Sequence, residues 1–184
     1  MSKVIGIDIS KQTFDVAFKN KADQWEYFVF ENSTKGFKEF FKMTEEDSIV
    51  VMEASGSYYL QLANFLHEKD ISVSVLNPLV IRRYAQMKML RSKTDKKDAQ
   101  TITNYGDNQD LVFWQPDGNA IYRMRQITTL IDSYQKQKTM LSNQYGSFDS
   151  SGIFDKVTKR SLKFSIKRLE KELDKLNIEL VKIA

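Results

Sequence analysis

Short apolar runs separated by polar turns occupy the first part of the chain. Residues 3–9, 14–19 and 25–30 are rich in β-branched and aromatic side chains, which predicts three strands. The segments between them are only a few residues long and polar, as tight turns are. Such short connections join antiparallel neighbours, so the pattern predicts an antiparallel meander.

The pattern then changes to alternating helices and strands. The predicted elements are a helix capped by Ser33 or Thr34, a strand at 48–52, a helix at 57–68, a strand at 71–76, and a helix opened by Asn77 and Pro78. The run at 48–52 is continuously apolar, as in a strand that is buried on both faces. A meander followed by such units predicts an α/β fold, with a mixed five-stranded sheet flanked by helices.

Beyond Pro116 the apolar residues recur alternately three and four positions apart, which is typical of long amphipathic helices. The clearer series is Leu162, Ile166, Leu169, Leu173, Leu176, Leu180 and Ile183. The turn-rich segment 146–152 predicts an antiparallel helical hairpin, although the same series could pair between chains. We therefore expect a catalytic-type domain at 1–112 and a helical coiled-coil region at 113–184, which serves as a scaffold, a dimer element or a nucleic-acid contact.

Composition limits the chemistry that the chain can perform. The 184 residues include no cysteine, so disulfides and thiolate metal sites are excluded. A metal would need oxygen ligands or His67, the only histidine, which we interpret instead as a solvated side chain at a helix end. Oxygen ligands favour Mg²⁺ or Mn²⁺. No uncharged stretch is long enough to span a bilayer and no leader is evident, so a cytoplasmic protein is expected.

Positive charge is concentrated in two segments, although the net charge is only +4. Residues 78–98 hold seven basic and two acidic side chains, and residues 119–184 hold thirteen and seven. Such clusters are often solvated helix faces, but they also bind phosphates through counterion release. The candidate nucleic-acid contacts are Lys11, Arg82, Arg83, Lys88, Arg91, Lys93, Lys96 and Lys97.

Four acidic residues are the candidate catalytic groups. Asp8 ends the first strand and Glu53 ends the strand at 48–52, so the two carboxylates lie close together if these strands are neighbours. Like charges in proximity repel unless a cation lies between them. Asp95 and Asp98 share one helix face at spacing i, i+3. Four carboxylates from three elements can hold two divalent ions.

Each acidic residue also has a purely structural interpretation. Asp95 could be the third position of a capping box begun by Ser92, and Asp98 could favour a helix N-terminus. Glu53 could be a polar strand end, and Asp8 a turn residue. The order in which the four occur along the chain favours the metal site.

Four motifs then point to a family. They are Gly6-Ile7-Asp8-Ile9-Ser10-Lys11, Glu53-Ala54-Ser55-Gly56-Ser57-Tyr58, Asn77-Pro78, and Lys93-Thr94-Asp95-Lys96-Lys97-Asp98-Ala99. Because these motifs occur in this order, the chain resembles the DEDD-type transposases of bacterial insertion sequences, which are relatives of the Piv-type DNA invertases. The resemblance is strong over residues 3–105 and looser to residue 184.

The resemblance implies a ribonuclease H-like catalytic fold, similar to that of the RuvC-like Holliday-junction resolvases. It implies that Asp8, Glu53, Asp95 and Asp98 are the metal-binding tetrad for two Mg²⁺ or Mn²⁺ ions. It further implies cleavage and rejoining of DNA at the ends of a mobile element, guided by an RNA in some members. Homo-oligomers are expected separately, through the coiled-coil region. Family members carry a further C-terminal domain with a nucleophilic serine, which we expect to be absent from this chain.

Three alternatives remain at this point. A stand-alone junction resolvase or nuclease would hydrolyse DNA with water. An actin-like sugar kinase or ATPase would share an early Gly-x-Asp-x-Ser, but we find no glycine-rich second phosphate loop among the 7 glycines. A non-enzymatic coiled-coil interaction protein would use the acidic residues only as caps and would be indifferent to Mg²⁺ and Mn²⁺.

Overall fold

A mixed sheet dominates the first of two compact units, Met1–Pro116 and Asp117–Ala184, in the computed structural model, which describes residues 3–54, 56–90 and 94–183. The strands are β1 (Val4–Ile9), β2 (Thr13–Lys19), β3 (Trp25–Glu31), β4 (Ile49–Glu53) and β5 (Ser72–Leu76). Their order is β3-β2-β1-β4-β5, with β1, β2 and β3 antiparallel and β4 and β5 parallel to β1. This confirms the predicted mixed five-stranded sheet.

Helices lie between and after the strands. They are α1 (Thr34–Phe41), α2 (Leu60–His67), α3 (Pro78–Met87) and α4 (Asp95–Asn108). Two predicted caps are confirmed: the Ser33 hydroxyl accepts the Gly36 N–H at 3.3 Å, and the Asn77 carboxamide accepts the Leu79 N–H at 2.8 Å. Helix α2 begins at Leu60 rather than at residue 57, because the preceding residues form a turn.

The two faces of the sheet have different coverings. One face carries the main core, in which aliphatic strand residues and Phe14 pack against side chains of α1 and α2 such as Phe40 and Leu62. The opposite face is covered at its centre by α4. There a Cβ on Gly6 would lie 2.4 Å from the Ala99 carbonyl oxygen, so the backbones of β1 and α4 are in direct contact.

The Thr103 hydroxyl joins α4 to the sheet. It accepts the Gly6 N–H at 3.1 Å and lies 2.8 Å from the Ala17 carbonyl oxygen and 3.0 Å from that of Ala99. Gly6 and Ala17 are cross-strand partners, so this buried hydroxyl bridges β1 and β2. It thereby fixes the distance between α4 and the two strands.

Thr103→Val is expected to lower the free energy of unfolding by about 2–4 kcal/mol, because the isosteric side chain leaves the buried Gly6 N–H and Ala17 carbonyl without this partner. Thr103→Ser keeps the hydroxyl and should cost only about 1 kcal/mol for the lost methyl group. Urea denaturation followed by far-UV circular dichroism measures both. Equal losses in the two variants would show that the hydroxyl bridge contributes little.

The second unit is a pair of antiparallel helices, α5 (Asn119–Ser150) and α6 (Lys156–Ile183). Lys138 pairs with Glu170 at 3.0 Å and Asp149 with Lys159 at 2.7 Å, so the contacts run in opposite directions along the two helices. The predicted hairpin is confirmed. A coiled coil stays a prediction, since Leu173 is the one buried residue among the described residues of this unit.

The predicted break at 146–152 was wrong in its position. Helix α5 continues to Ser150, and Gly152, at φ +74°, follows its end. The ring of Phe154 packs against Tyr145 at 5.1 Å and Phe148 at 5.5 Å, and these contacts hold the last turns of α5 despite their turn-forming composition. No helix in the described part of the chain combines the length and apolar character needed to cross a bilayer.

Candidate metal centre

Parallel pairing of β1 and β4 places two carboxylates side by side. Gly6 pairs with Val51 and Ile7 with Met52, so Asp8 and Glu53 are the next residues of the two strands. Side chains alternate along a strand, and both acidic residues therefore lie on the face that α4 covers. The two strands run in the same direction, so both carboxylates lie at the same edge of the sheet. The predicted proximity of the two strands is confirmed.

Helix α4 supplies the other two acidic residues from its first turn. Its N-cap is Thr94, whose hydroxyl accepts the Lys97 N–H at 3.3 Å, so Asp95 is the first helical residue. Asp95 is thus not the third position of a capping box, and Ser92 lies outside the described residues. Acidic residues in a first turn do stabilise the helix, but Asp95 and Asp98 also face Asp8 and Glu53 across one cavity.

That cavity has a volume of about 650 Å³ and is bounded by the sheet edge, α3 and α4. All four candidate carboxylates line it, together with Arg82 and Lys97. Other polar lining residues are Gln86, Gln100, Thr101 and Asn104. The cavity therefore offers carboxylate and amide oxygens beside two cationic groups.

Burial and the neighbouring carboxylates together alter the protonation of Asp8. The pKa of Asp8 is raised from 3.8 to about 6, first by burial and then by the negative charges of Asp98, Glu53 and Asp95. A cation among these groups would relieve the repulsion. The site thus has the electrostatic character of a cation site.

Hard divalent cations fit this set of donors. Among residues 3–54, 56–90 and 94–183, no three acidic or histidine side chains are arranged to hold one ion together. Mg²⁺ does not require three, since it commonly binds one or two carboxylates and completes its shell with waters and substrate phosphates. Four carboxylates on three elements are therefore compatible with two such ions.

In EDTA, Asp8→Asn is expected to stabilise the protein at pH 7.5 by about 1–2 kcal/mol. The pKa of Asp8 is about 6 in the folded chain, against an ordinary value of 3.8 that applies to the unfolded chain. Between these two pH values the folded state binds more protons than the unfolded state, so the free energy of unfolding falls as pH rises from 3.8 to about 6. The full shift would correspond to about 3 kcal/mol, reduced here because the side chain keeps contact with solvent.

Near pH 4 the variant and the parent should unfold alike, because Asp8 is then mostly protonated in the folded state. Urea titrations at the two pH values measure the difference. A stability difference that does not change with pH would contradict the assignment of the raised pKa to Asp8.

The basic candidates lie at different distances from this cavity. Arg82 and Lys97 line it, whereas the exposed Arg83 donates to the Gln86 side chain at 3.0 Å. The Lys88 ammonium lies 5.6 Å from the Tyr84 ring, and Lys11 is exposed in the turn after β1. The ammonium of Lys96 lies 5.3 Å from the Tyr27 ring. Arg91 and Lys93 lie outside the described residues.

Asp15 and Tyr27 also lie at this site, although neither was predicted from the sequence. Asp15 is the cross-strand partner of Asp8, and the Tyr27 hydroxyl donates a hydrogen bond to its carboxylate. The available signal was a lone acidic residue in the middle of the apolar strand β2. That signal gains meaning only once the antiparallel register is known.

Comparison with known proteins gives a matching family and two similar relatives. The family model DEDD_Tnp_IS110, described as "Transposase", matches residues 5–148. The chain is 31% identical over 163 residues to the "Pilin gene-inverting protein" of Moraxella lacunata and, equally, to that of Moraxella bovis. Each alignment covers 85% of this chain but 49% of the relative, so the chain spans about half the length of these curated relatives.

Among solved structures, Thermus thermophilus RuvC in complex with a Holliday junction substrate matches with a TM-score of 0.44 and 11% identity, covering 62% of this chain and 100% of that chain. A second Thermus thermophilus RuvC structure matches with a TM-score of 0.42 and 11% identity, covering 61% of this chain and 99% of that chain. The family match spans most of the chain and includes every residue that lines the acidic cavity. The chain belongs to the DEDD transposase family.

Proposed function

We propose that this chain forms the metal-dependent catalytic part of a DNA transposase or recombinase of a mobile insertion sequence. One observation carries the proposal: β1, β4 and α4 bring Asp8, Glu53, Asp95 and Asp98 to a single cavity that also holds cationic side chains. Family membership supplies the class of reaction, which is phosphoryl transfer on DNA. The two curated relatives are named for inverting a pilin gene, which is also a DNA rearrangement.

The four carboxylates would hold two Mg²⁺ or Mn²⁺ ions. Divalent ions in such sites activate the attacking hydroxyl and stabilise the leaving oxygen of a phosphodiester. Arg82 and Lys97, which line the same cavity, bind the DNA backbone and fix its register without reading bases. The attacking hydroxyl belongs to water or to the serine that the family carries in a further domain.

The proposal extends to partners and location. The basic side chains around the cavity suit phosphate contacts, which do not read bases. A guide RNA would therefore supply the sequence specificity. The α5–α6 hairpin would join copies of the chain, since Phe164, Ile178 and Val181 are exposed on α6. DNA-directed activity, which is typical of the family, supports a cytoplasmic location.

Salt dependence of DNA binding tests the role of the two cationic residues. Arg82→Gln and Lys97→Gln should each weaken binding of duplex DNA several-fold in Mg²⁺ and reduce the slope of log K against log salt by about 0.9, the value for one phosphate contact. Fluorescence anisotropy from about 50 to 200 mM salt measures the slope.

Lys42→Gln is the matched control, because this exposed lysine caps α1 on the other side of the sheet. It removes the same charge at a distance from the cavity and should leave the slope unchanged. If Arg82→Gln and Lys97→Gln behave like the control, DNA does not bind at the acidic cavity and the proposed function fails.

A further inference from the structure

Asp15 lies beside the candidate metal centre without belonging to the four-residue set. It is directly opposite Asp8 in the antiparallel pairing of β1 and β2, so both side chains are on the face that α4 covers. Directly opposed residues have Cβ atoms about 4.5–5.5 Å apart. The Asp15 residue is only 8% exposed, which is unusual for a carboxylate in the middle of a strand.

Tyr27 fixes this carboxylate from the neighbouring strand. Tyr27 lies on β3, and its hydroxyl donates a hydrogen bond to an Asp15 carboxylate oxygen. The Lys96 ammonium lies 5.3 Å from the ring of Tyr27, so α4 approaches the same pair beside Asp95. Asp15 is therefore held in place from β3 by a neutral donor, with no described salt bridge to compensate its charge.

Stability alone does not explain an acidic residue at this position. Like charges directly opposite each other on a sheet are destabilising, and Asp15 faces Asp8 in this way. Burial adds a second cost, because a carboxylate that is only 8% exposed loses most of its hydration. A neutral side chain would avoid both penalties and could still accept the Tyr27 hydroxyl.

We propose that Asp15 is a positioning residue of the metal centre: held by Tyr27, it directs a fifth negative charge at the cavity and strengthens the binding of divalent cations by Asp8 and its partners. The inference rests on the proposed function. The added charge destabilises the metal-free protein and is neutralised when cations bind. Asp15 thus lowers the stability of the metal-free protein and raises its affinity for divalent cations.

Asp15→Asn separates this role from a structural one, because it removes the charge and keeps an oxygen that can accept the Tyr27 hydroxyl. We expect Mn²⁺, measured by calorimetry at pH 7.5 on the 184-residue chain with duplex DNA present, to bind about tenfold more weakly. In EDTA the same variant should melt at a higher temperature than the parent. Tyr27→Phe, which leaves the charge in place, should weaken Mn²⁺ binding less than Asp15→Asn does.

Asp47→Asn is the charge-matched control, since this exposed residue precedes β4 at the opposite edge of the sheet, and its Mn²⁺ affinity should equal that of the parent. If the parent binds Mn²⁺ and Asp15→Asn binds it equally well, the inference is overturned and the proposed function stands. A melting temperature that falls in Asp15→Asn with unchanged affinity also overturns it. If the parent binds no Mn²⁺, the metal centre and this inference fail together.

Discussion

Asp98→Asn is expected to lower the rate of Mn²⁺-dependent nicking of supercoiled plasmid DNA by at least about 10³-fold. Metal ions in phosphoryl transfer contribute several kcal/mol of transition-state stabilisation, and about 4 kcal/mol corresponds to this factor. The asparagine keeps the shape of the side chain but supplies no negative charge. Since Asp98 lies on the first turn of α4, over Asp8 and Glu53, the substitution leaves the other three carboxylates in place.

DNA binding should survive this change although cleavage is lost. In EDTA, the removal of a carboxylate beside a DNA phosphate reduces repulsion, so Asp98→Asn should bind duplex DNA as tightly as the parent or more tightly. Asp110→Asn, which removes an exposed carboxylate beyond the end of α4, is the control and should nick at the parental rate. Loss of DNA binding together with nicking would instead indicate a folding defect.

Gly6→Ala should destabilise the protein by about 3 kcal/mol or more, the upper part of the range for overpacking. The added Cβ would lie 2.4 Å from the Ala99 carbonyl oxygen and from the Thr103 amide nitrogen, both of which are backbone atoms. Neither can move without displacing α4 from the sheet. Because α4 carries Asp95 and Asp98, the variant should also bind Mn²⁺ at least tenfold more weakly.

Gly146→Ala provides the contrast, since nothing lies within 4 Å of a Cβ added at this position in α5. Alanine is the better helix former, and this change should stabilise the hairpin by about 0.5–1 kcal/mol. Thermal melts and urea titrations measure both variants. If Gly6→Ala has the stability and Mn²⁺ affinity of the parent, the close contact between β1 and α4 does not position the site.

The sheet and its acidic edge could be predicted because their determinants are local. Short polar turns fix the meander, Asn77 and Pro78 start α3, and the apolar run of β4 ends at Glu53. Each of these signals acts within a few residues of the chain. The prediction that Asp95 and Asp98 lie with Asp8 came from the family motifs, because no local pattern indicates it.

What could not be predicted depends on contacts between distant residues. Asp15 becomes part of the site only through its register with Asp8 and its hydrogen bond from Tyr27. The end of α5 was misplaced because the ring of Phe154, beyond the turn, stabilises residues whose own composition favours a break. Likewise, Thr103 gives no sign in the sequence that its hydroxyl will bridge β1 and β2.

A calorimetric Mn²⁺ titration of the chain, alone and with duplex DNA, tests the central claim most directly when Asp8→Ala and Asp98→Ala are measured beside it. We predict saturable binding by the parent, at the latest when DNA completes the site, and its loss in both variants although they remain folded. Absence of binding by the parent with and without DNA, or binding that survives both substitutions, would contradict a metal centre built by these carboxylates.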